Sequence, residues 1–278
     1  LTLFVIALAF AFISTHSIAA PAPEPAIPPG AEEAKAALEK SPRHGEMVDI
    51  IVPGLDKPIR TWIVYPERKD NAGVVVVIHE VYGLSDWARA VADQIAAEGF
   101  IAVAPDLISG LGPGGGGTDS VSSRDDVVKL VRTLTPDMTR QRLDAVTGLA
   151  VNLPASNGKV ATIGFCWGGA RSFEYAASRE GLAAAVVYYG SSPDSATLAK
   201  VKAPVAGFYG GDDARVNATI EPAKAALAAR RRRYEVNVYD GAGHGFLRQQ
   251  SEREGANLAA AQKAWPKTVA FLREILEK

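Results

Sequence analysis

The sequence predicts one α/β domain built on a mostly parallel, doubly wound sheet, and three observations carry that expectation. The continuous β-branched run Val74-Val75-Val76-Val77-Ile78 reads as a strand covered on both faces, as parallel sheets require. Strand-like and helix-like stretches then alternate to the end of the chain, which implies right-handed crossovers and helices on both sides of the sheet. With 278 residues and 47% hydrophobic content, the chain can bury a single large core.

Taken in order, residues 1–20 are apolar through Ile13 and end in the small residues Ala19-Ala20. They read as a secretory signal peptide, too short in apolar length for a comfortable membrane span. A charged start and an initiator Met are missing, so the chain is read as beginning inside that signal. Residues 21–45 form a Pro/Ala-rich linker and lead-in, with a short helix near 31–40. The domain proper is placed at 46–278.

Within it, 47–52 and 59–65 alternate well enough for an antiparallel hairpin across a Pro/Gly turn. Helices are expected near 86–98, 137–151, 168–178, 220–231 and 256–276, and strands near 74–78, 100–104, 160–164, 184–189, 205–209 and 234–239. The glycine-rich stretch 109–118 is expected to be a mobile flap beyond a strand's carboxyl end. Arg230–Arg233 is read as a solvated helix terminus.

Thirty basic and 31 acidic side chains leave a net charge of −1, so no footprint for nucleic acid or an anionic membrane surface is present. A small-molecule substrate is the expected partner, with no stable membrane span after processing. No cofactor or metal is called for.

The stretch Val160-Ala161-Thr162-Ile163-Gly164-Phe165-Cys166-Trp167-Gly168-Gly169 carries an apolar strand into Gly-x-Cys-x-Gly and a small-residue helix start. An isolated Cys is ordinarily a small buried hydrophobe. Glycines two positions before and after it add nothing to a core strand, whereas a nucleophile elbow needs them for close strand–helix approach. Cys166 is also the only cysteine, hence a free thiol even in an oxidising compartment.

A thiol nucleophile needs a base, and the base an orienting carboxylate. His16 falls in the leader, His44 in a polar lead-in and His79 at a strand end beside Glu80; His244, set in Gly-Ala-Gly-His-Gly-Phe, alone has glycines that permit a tight loop. Gly210-Gly211-Asp212-Asp213 follows another strand and offers the acid, with either Asp possible. The order nucleophile, acid, histidine is that of α/β-hydrolases.

From about residue 46 onward the chain resembles the dienelactone hydrolase family of the α/β-hydrolase superfamily, whose elbow carries Cys in a Gly-Phe-Cys-x-Gly-Gly context. The resemblance implies Asp213 as the acid, from Gly-Gly-x-Asp, and His244 as the base, from Ala-Gly-His-x-Phe. It implies that Glu80, in Glu80-Val81-Tyr82-Gly83, holds the resting thiol and releases it on substrate binding. It implies Arg248, and more weakly Arg124, as partners of a substrate carboxylate, a task that suits guanidinium geometry. The oxyanion hole would use the backbone N–H groups of Val81 and Trp167.

The expected function is cleavage of an ester or lactone through Cys166, His244 and Asp213 by way of an acyl-enzyme, of carboxymethylenebutenolidase type. A broader carboxylesterase or thioesterase is the alternative, with Trp167 and the flap forming an apolar pocket. A non-catalytic secreted binding protein on the same scaffold is the alternative of another class. The leader places the protein outside the cytoplasm, periplasmic or secreted. The export signal, Trp167 and the glycine-rich flap depart from well-known family members, so mechanism transfers better than substrate.

Overall fold

The computed structural model describes residues 26–278, and the leader expected at 1–20 lies outside them. Seven consecutive buried residues, Ala72–Ile78, form β3 near the middle of an eight-stranded sheet. The other strands are β1 (Gly45–Ile50), β2 (Ile59–Val64), β4 (Ile101–Pro105), β5 (Ser156–Phe165), β6 (Ala184–Tyr188), β7 (Val205–Gly210) and β8 (Tyr234–Tyr239). Their order is β1-β2-β4-β3-β5-β6-β7-β8. β1, β2 and β4 pair antiparallel, and from β4 to β8 every neighbour is parallel.

Side chains alternate across the sheet, so β3 feeds two cores at once. Val75 and Val77 pack beneath α2 (Asp86–Ala97) and α9 (Ala256–Leu276). Val74, Val76 and Ile78 pack on the opposite face with residues of α3 (Arg124–Thr133), α4 (Pro136–Val151), α5 (Trp167–Ser178) and α8 (Ile220–Ala228). The helix starts have local causes. The hydroxyls of Ser85, Ser123 and Thr135 accept the N–H groups of Ala88, Asp126 and Met138, and Pro136 occupies the first turn of α4.

Three elements differ from expectation. α3 was not anticipated, because it buries only Val127 and Val131, roughly one side chain per turn, and so lacks a broad apolar stripe. Short helices α6 (Ser195–Leu198) and α7 (Ala214–Asn217) are single turns capped by Asp194 and Asp213.

The glycine-rich stretch is a correction as well. It is cinched rather than free: the Gly110 and Gly112 N–H groups both reach the Gly116 carbonyl, at 3.0 and 2.9 Å, and buried Arg142 holds the Ser109 carbonyl at 2.8 Å. Its body lies against Lys57, near the β1–β2 turn.

Residues 26–40 pack on the domain. Pro28, Gly30 and Ala34 are buried, and α1 (Ala34–Glu39) lies against α2. The Arg230–Arg233 run is exposed as expected, with Arg233 paired to Glu274 and Glu235.

Candidate active site

The turn from β5 into α5 explains the glycine pattern around Cys166. Cys166 stands at φ 55° and ψ −115°, a conformation costly for a residue with a Cβ. A Cβ at position 164 would lie 2.0 Å from the Gly168 carbonyl oxygen, and one at 168 would lie 2.3 Å from the Ile78 and His79 carbonyl oxygens. Strand and helix can therefore meet only where both residues are glycine. The Cys166 N–H reaches the Tyr188 carbonyl at 3.0 Å, which ties the turn to the neighbouring strand.

Two further loops converge on this edge. The first follows β7, where Asn217 donates to the carbonyls of Gly210 and Gly211 at 2.9 and 3.1 Å and steadies Asp213. The second follows β8, where buried Asn257 of α9 accepts the Gly243 N–H at 2.9 Å and donates to the Gln249 carbonyl at 2.7 Å. Between these supports His244 Nδ1 comes within 2.5 Å of Asp213 Oδ2. Asp212, which sequence alone could not separate from Asp213, turns outward to Arg253 at 2.7 Å.

Electrostatics follow from the geometry. Burial alone would lower the His244 pKa, but the Asp213 hydrogen bond and the adjacent Cys166 sulfur lift it to about 9. Burial raises Asp213, yet its bond to His244 wins and holds the carboxyl below its ordinary value. With Nδ1–H donated to Asp213, the Nε2 face of the ring is left for the sulfur.

Glu80, on the loop after β3, is buried, and burial pushes its carboxyl up against the opposing pull of Arg248, His244 and Arg124. Its Oε2 lies 2.9 Å from Arg248 Nε, although that N–H is not aimed at the oxygen and neither atom has a hydrogen-bond partner. Glu80 thus meets Arg248 and, among the described residues, makes no hydrogen bond to the Cys166 thiol. The guanidinium of Arg124 lies 3.6 Å from the centre of the Tyr82 ring, and that of Arg248 lies 5.0 Å from the same ring. The N–H groups of Val81 and Trp167 have no acceptor among the described residues. Trp167 stacks its ring on His79, centroids 5.7 Å apart, and so packs down onto the core.

Sequence reasoning missed several supports. His79 is wholly buried; its Nδ1 lies 2.7 Å from the Glu80 carbonyl and its Nε2 accepts the Leu107 N–H at 3.1 Å. The amide donor fixes Nε2 as acceptor, so Nδ1 carries the proton, and burial keeps the ring's pKa low. Tyr189, at φ 41°, is buried with its ring edge-on to His244 at 5.2 Å, and its hydroxyl has no hydrogen-bond partner. Burial, then the charges of Glu80 and Cys166, push that hydroxyl's pKa well up. The residue type gave no signal for either role; only the position of each at a strand's carboxyl end did. Among the described residues, no group of three His, Cys, Asp or Glu side chains is placed to hold a metal ion.

The model of the dienelactone hydrolase family matches residues 59–276, nearly the whole sheet and every residue named above at this edge. The chain belongs to the dienelactone hydrolase family. A carboxymethylenebutenolidase of Pseudomonas putida is 30% identical over 201 residues, covering 71% of this chain and 85% of that protein. Among solved structures, a dienelactone hydrolase from Anabaena variabilis superposes with a TM-score of 0.64 at 24% identity, over 84% of this chain and 99% of that one. A dienelactone hydrolase-like promiscuous phosphotriesterase from metagenomic libraries gives 0.72 at 22% identity, over 84% and 99%. These two likenesses establish the shared α/β-hydrolase fold; the family match makes the chain a dienelactone hydrolase-like hydrolase.

Proposed function

We propose that this family member cleaves a carboxylic ester or lactone through an acyl-enzyme on Cys166. His244 Nε2 takes the thiol proton as sulfur bonds to the substrate carbonyl carbon, and the carbonyl electron pair moves onto oxygen. The N–H groups of Val81 and Trp167 receive that oxyanion. When the tetrahedral adduct collapses, the C–O bond breaks and the imidazolium returns its proton to the leaving oxygen. Water, deprotonated by the same ring, then attacks the thioester and frees the acid and the thiol.

The contact of His244 Nδ1 with Asp213 Oδ2, beside a sulfur on a strained elbow, carries this reading. It leaves one ring nitrogen for the sulfur and keeps the proton on the other, the arrangement a general base requires. Arg248 and Arg124 supply cationic edges for a carboxylate on the substrate. The apolar leader marks the protein for export, to the periplasm or beyond.

Intact mass after brief incubation with p-nitrophenyl esters and a dienelactone tests the proposal. An acyl adduct that disappears with time, and is absent from Cys166→Ala, is the expected result. Turnover that survives Cys166→Ala would end it.

A further inference from the structure

His79 follows β3 directly and takes no part in the proton transfers above, yet it is wholly buried with both ring nitrogens engaged. Strand register places it beside the elbow: Ile78 pairs with Gly164 across β3 and β5, so Glu80 leaves its strand level with Cys166. The His79 Nδ1–H donates to the Glu80 carbonyl at 2.7 Å, an oxygen that also accepts the Gly83 N–H at 3.3 Å. Nε2 accepts the Leu107 N–H at 3.1 Å from the loop after β4, which fixes the tilt of the ring. The ring face stacks on Trp167, with centroids 5.7 Å and planes 19° apart. One side chain thus touches both segments whose backbone N–H groups would receive the oxyanion.

The Glu80 C=O and the Val81 N–H belong to one peptide plane and point in opposite directions, so holding the oxygen aims the hydrogen. A hydrogen bond to that oxygen also polarises the plane and makes its N–H a stronger donor. We propose that His79 is a positioning residue of the oxyanion hole: its Nδ1–H holds the Glu80–Val81 peptide so that the Val81 N–H faces the oxygen that turns negative when Cys166 attacks. This deepens the ester or lactone hydrolase reading and rests on it. Burial favours the neutral ring, and the Leu107 N–H keeps its single proton on Nδ1.

Two substitutions in the full-length protein separate the roles of the two ring nitrogens. His79→Asn puts an amide at the level of Nδ1, where it donates to the Glu80 carbonyl; His79→Gln puts one at the level of Nε2, where it accepts the Leu107 N–H. On p-nitrophenyl acetate, His79→Gln is expected to lower kcat about tenfold with KM little changed, the mark of an interaction made only in the transition state. His79→Asn is expected to keep kcat within about threefold of the unmodified protein. Equal kcat in the two folded variants, or the larger loss in His79→Asn, would overturn the proposal. A second measurement needs no variant. With an aryl trifluoromethyl ketone, the Cys166 sulfur bonds to the ketone carbon, the thiol proton passes to His244 and the carbonyl electron pair moves onto oxygen. In protein carrying isotope-labelled histidine, the His79 Nδ1–H resonance is expected to move downfield as this adduct forms, because Val81 N–H donation to the oxyanion makes the Glu80 carbonyl a stronger acceptor. A proton found on Nε2, or an Nδ1–H resonance unmoved by the adduct, would overturn the role of His79 and leave the hydrolase reading intact. Absence of both ester turnover and the adduct's fluorine signal in the unmodified protein would overturn the two together.

Discussion

Thr118 donates its hydroxyl to Asp106 Oδ1 at 2.9 Å while accepting the Leu84 N–H at 3.0 Å, and this one side chain joins the glycine-rich loop to the loop that carries Val81. Its own N–H adds a bond to Asp106 Oδ2 at 2.6 Å. The fit uses the space a side chain at 83 would fill, since a Cβ there would lie 2.2 Å from Thr118 Oγ1. Thr118→Val keeps the shape, strands the Leu84 N–H and leaves Asp106 Oδ1 with the Ile108 N–H alone. Stability should fall by about 1–3 kcal/mol, read from urea midpoints. If Val81 is an oxyanion donor, kcat on a p-nitrophenyl ester should fall about tenfold with KM little changed. An unaltered kcat would detach this loop from the chemistry.

The elbow makes a sharper prediction about stability. Gly164→Ala drives a methyl group into the Gly168 carbonyl, and backbone on both sides leaves little room for relaxation. A loss of about 3 kcal/mol or more is expected, with lower soluble yield. Ala161→Gly, three residues earlier in the same strand, should cost only about 1 kcal/mol. Equal costs would mean that the strand–helix approach at 164 is not tight.

Much of this was legible in the sequence because the signals were local. The run Val74–Ile78 can only be a covered strand, and glycines flanking a lone Cys specify a turn whose steric reason is the close approach of β5 and α5. Asp212 and Asp213 were inseparable without resemblance to a family, because which carboxylate faces His244 depends on how the loop after β7 is pinned by Asn217. The glycine-rich loop was misread for a similar reason. Composition reports freedom of the unfolded chain, whereas Asp106 and Arg142, distant in sequence, decide whether the folded loop is held. The docking of residues 26–33 likewise depends on Trp87 and Gln250, far along the chain.

The Asp213–His244 pair predicts a pH dependence. The His244 pKa is raised from 6.5 to about 9, so the stability it contributes is fully present below about pH 6.5 and lost as pH rises through about 9. In the free enzyme the ring must be neutral to take the thiol proton, so kcat/KM should rise with pH through an apparent pKa near that same value. Asp213→Asn removes the partner that holds the proton. It should shift this limb to lower pH and reduce kcat on the order of 10³-fold to 10⁴-fold. Asp212→Asn, whose partner Arg253 is half exposed, should stay within about twofold of the unmodified rate. Equal losses in the two variants would contradict the assignment.

The ion pair of Glu80 with Arg248 is the least settled part of the site in energetic terms, since two nearly buried charges meet without a directed hydrogen bond. Removing only the cation should be costly. Arg248→Ala leaves Glu80 in a dry position with its carboxyl already raised by burial and now lacking its closest opposing charge. A group whose folded pKa exceeds its unfolded value destabilises once it must ionise, so the loss should grow as pH climbs above the ordinary Glu value of 4.5. About 3 kcal/mol is expected at mildly alkaline pH, and markedly less near pH 5, where the carboxyl can stay protonated. Adding Glu80→Gln to Arg248→Ala should restore most of that loss and flatten its pH dependence, because no buried charge then remains unpaired. Denaturant midpoints for the single and double variants at the two pH values measure this directly. A pH-independent loss in Arg248→Ala, unrelieved by the second substitution, would mean that Arg248 stabilises the fold through packing on Tyr82 rather than through the charge of Glu80.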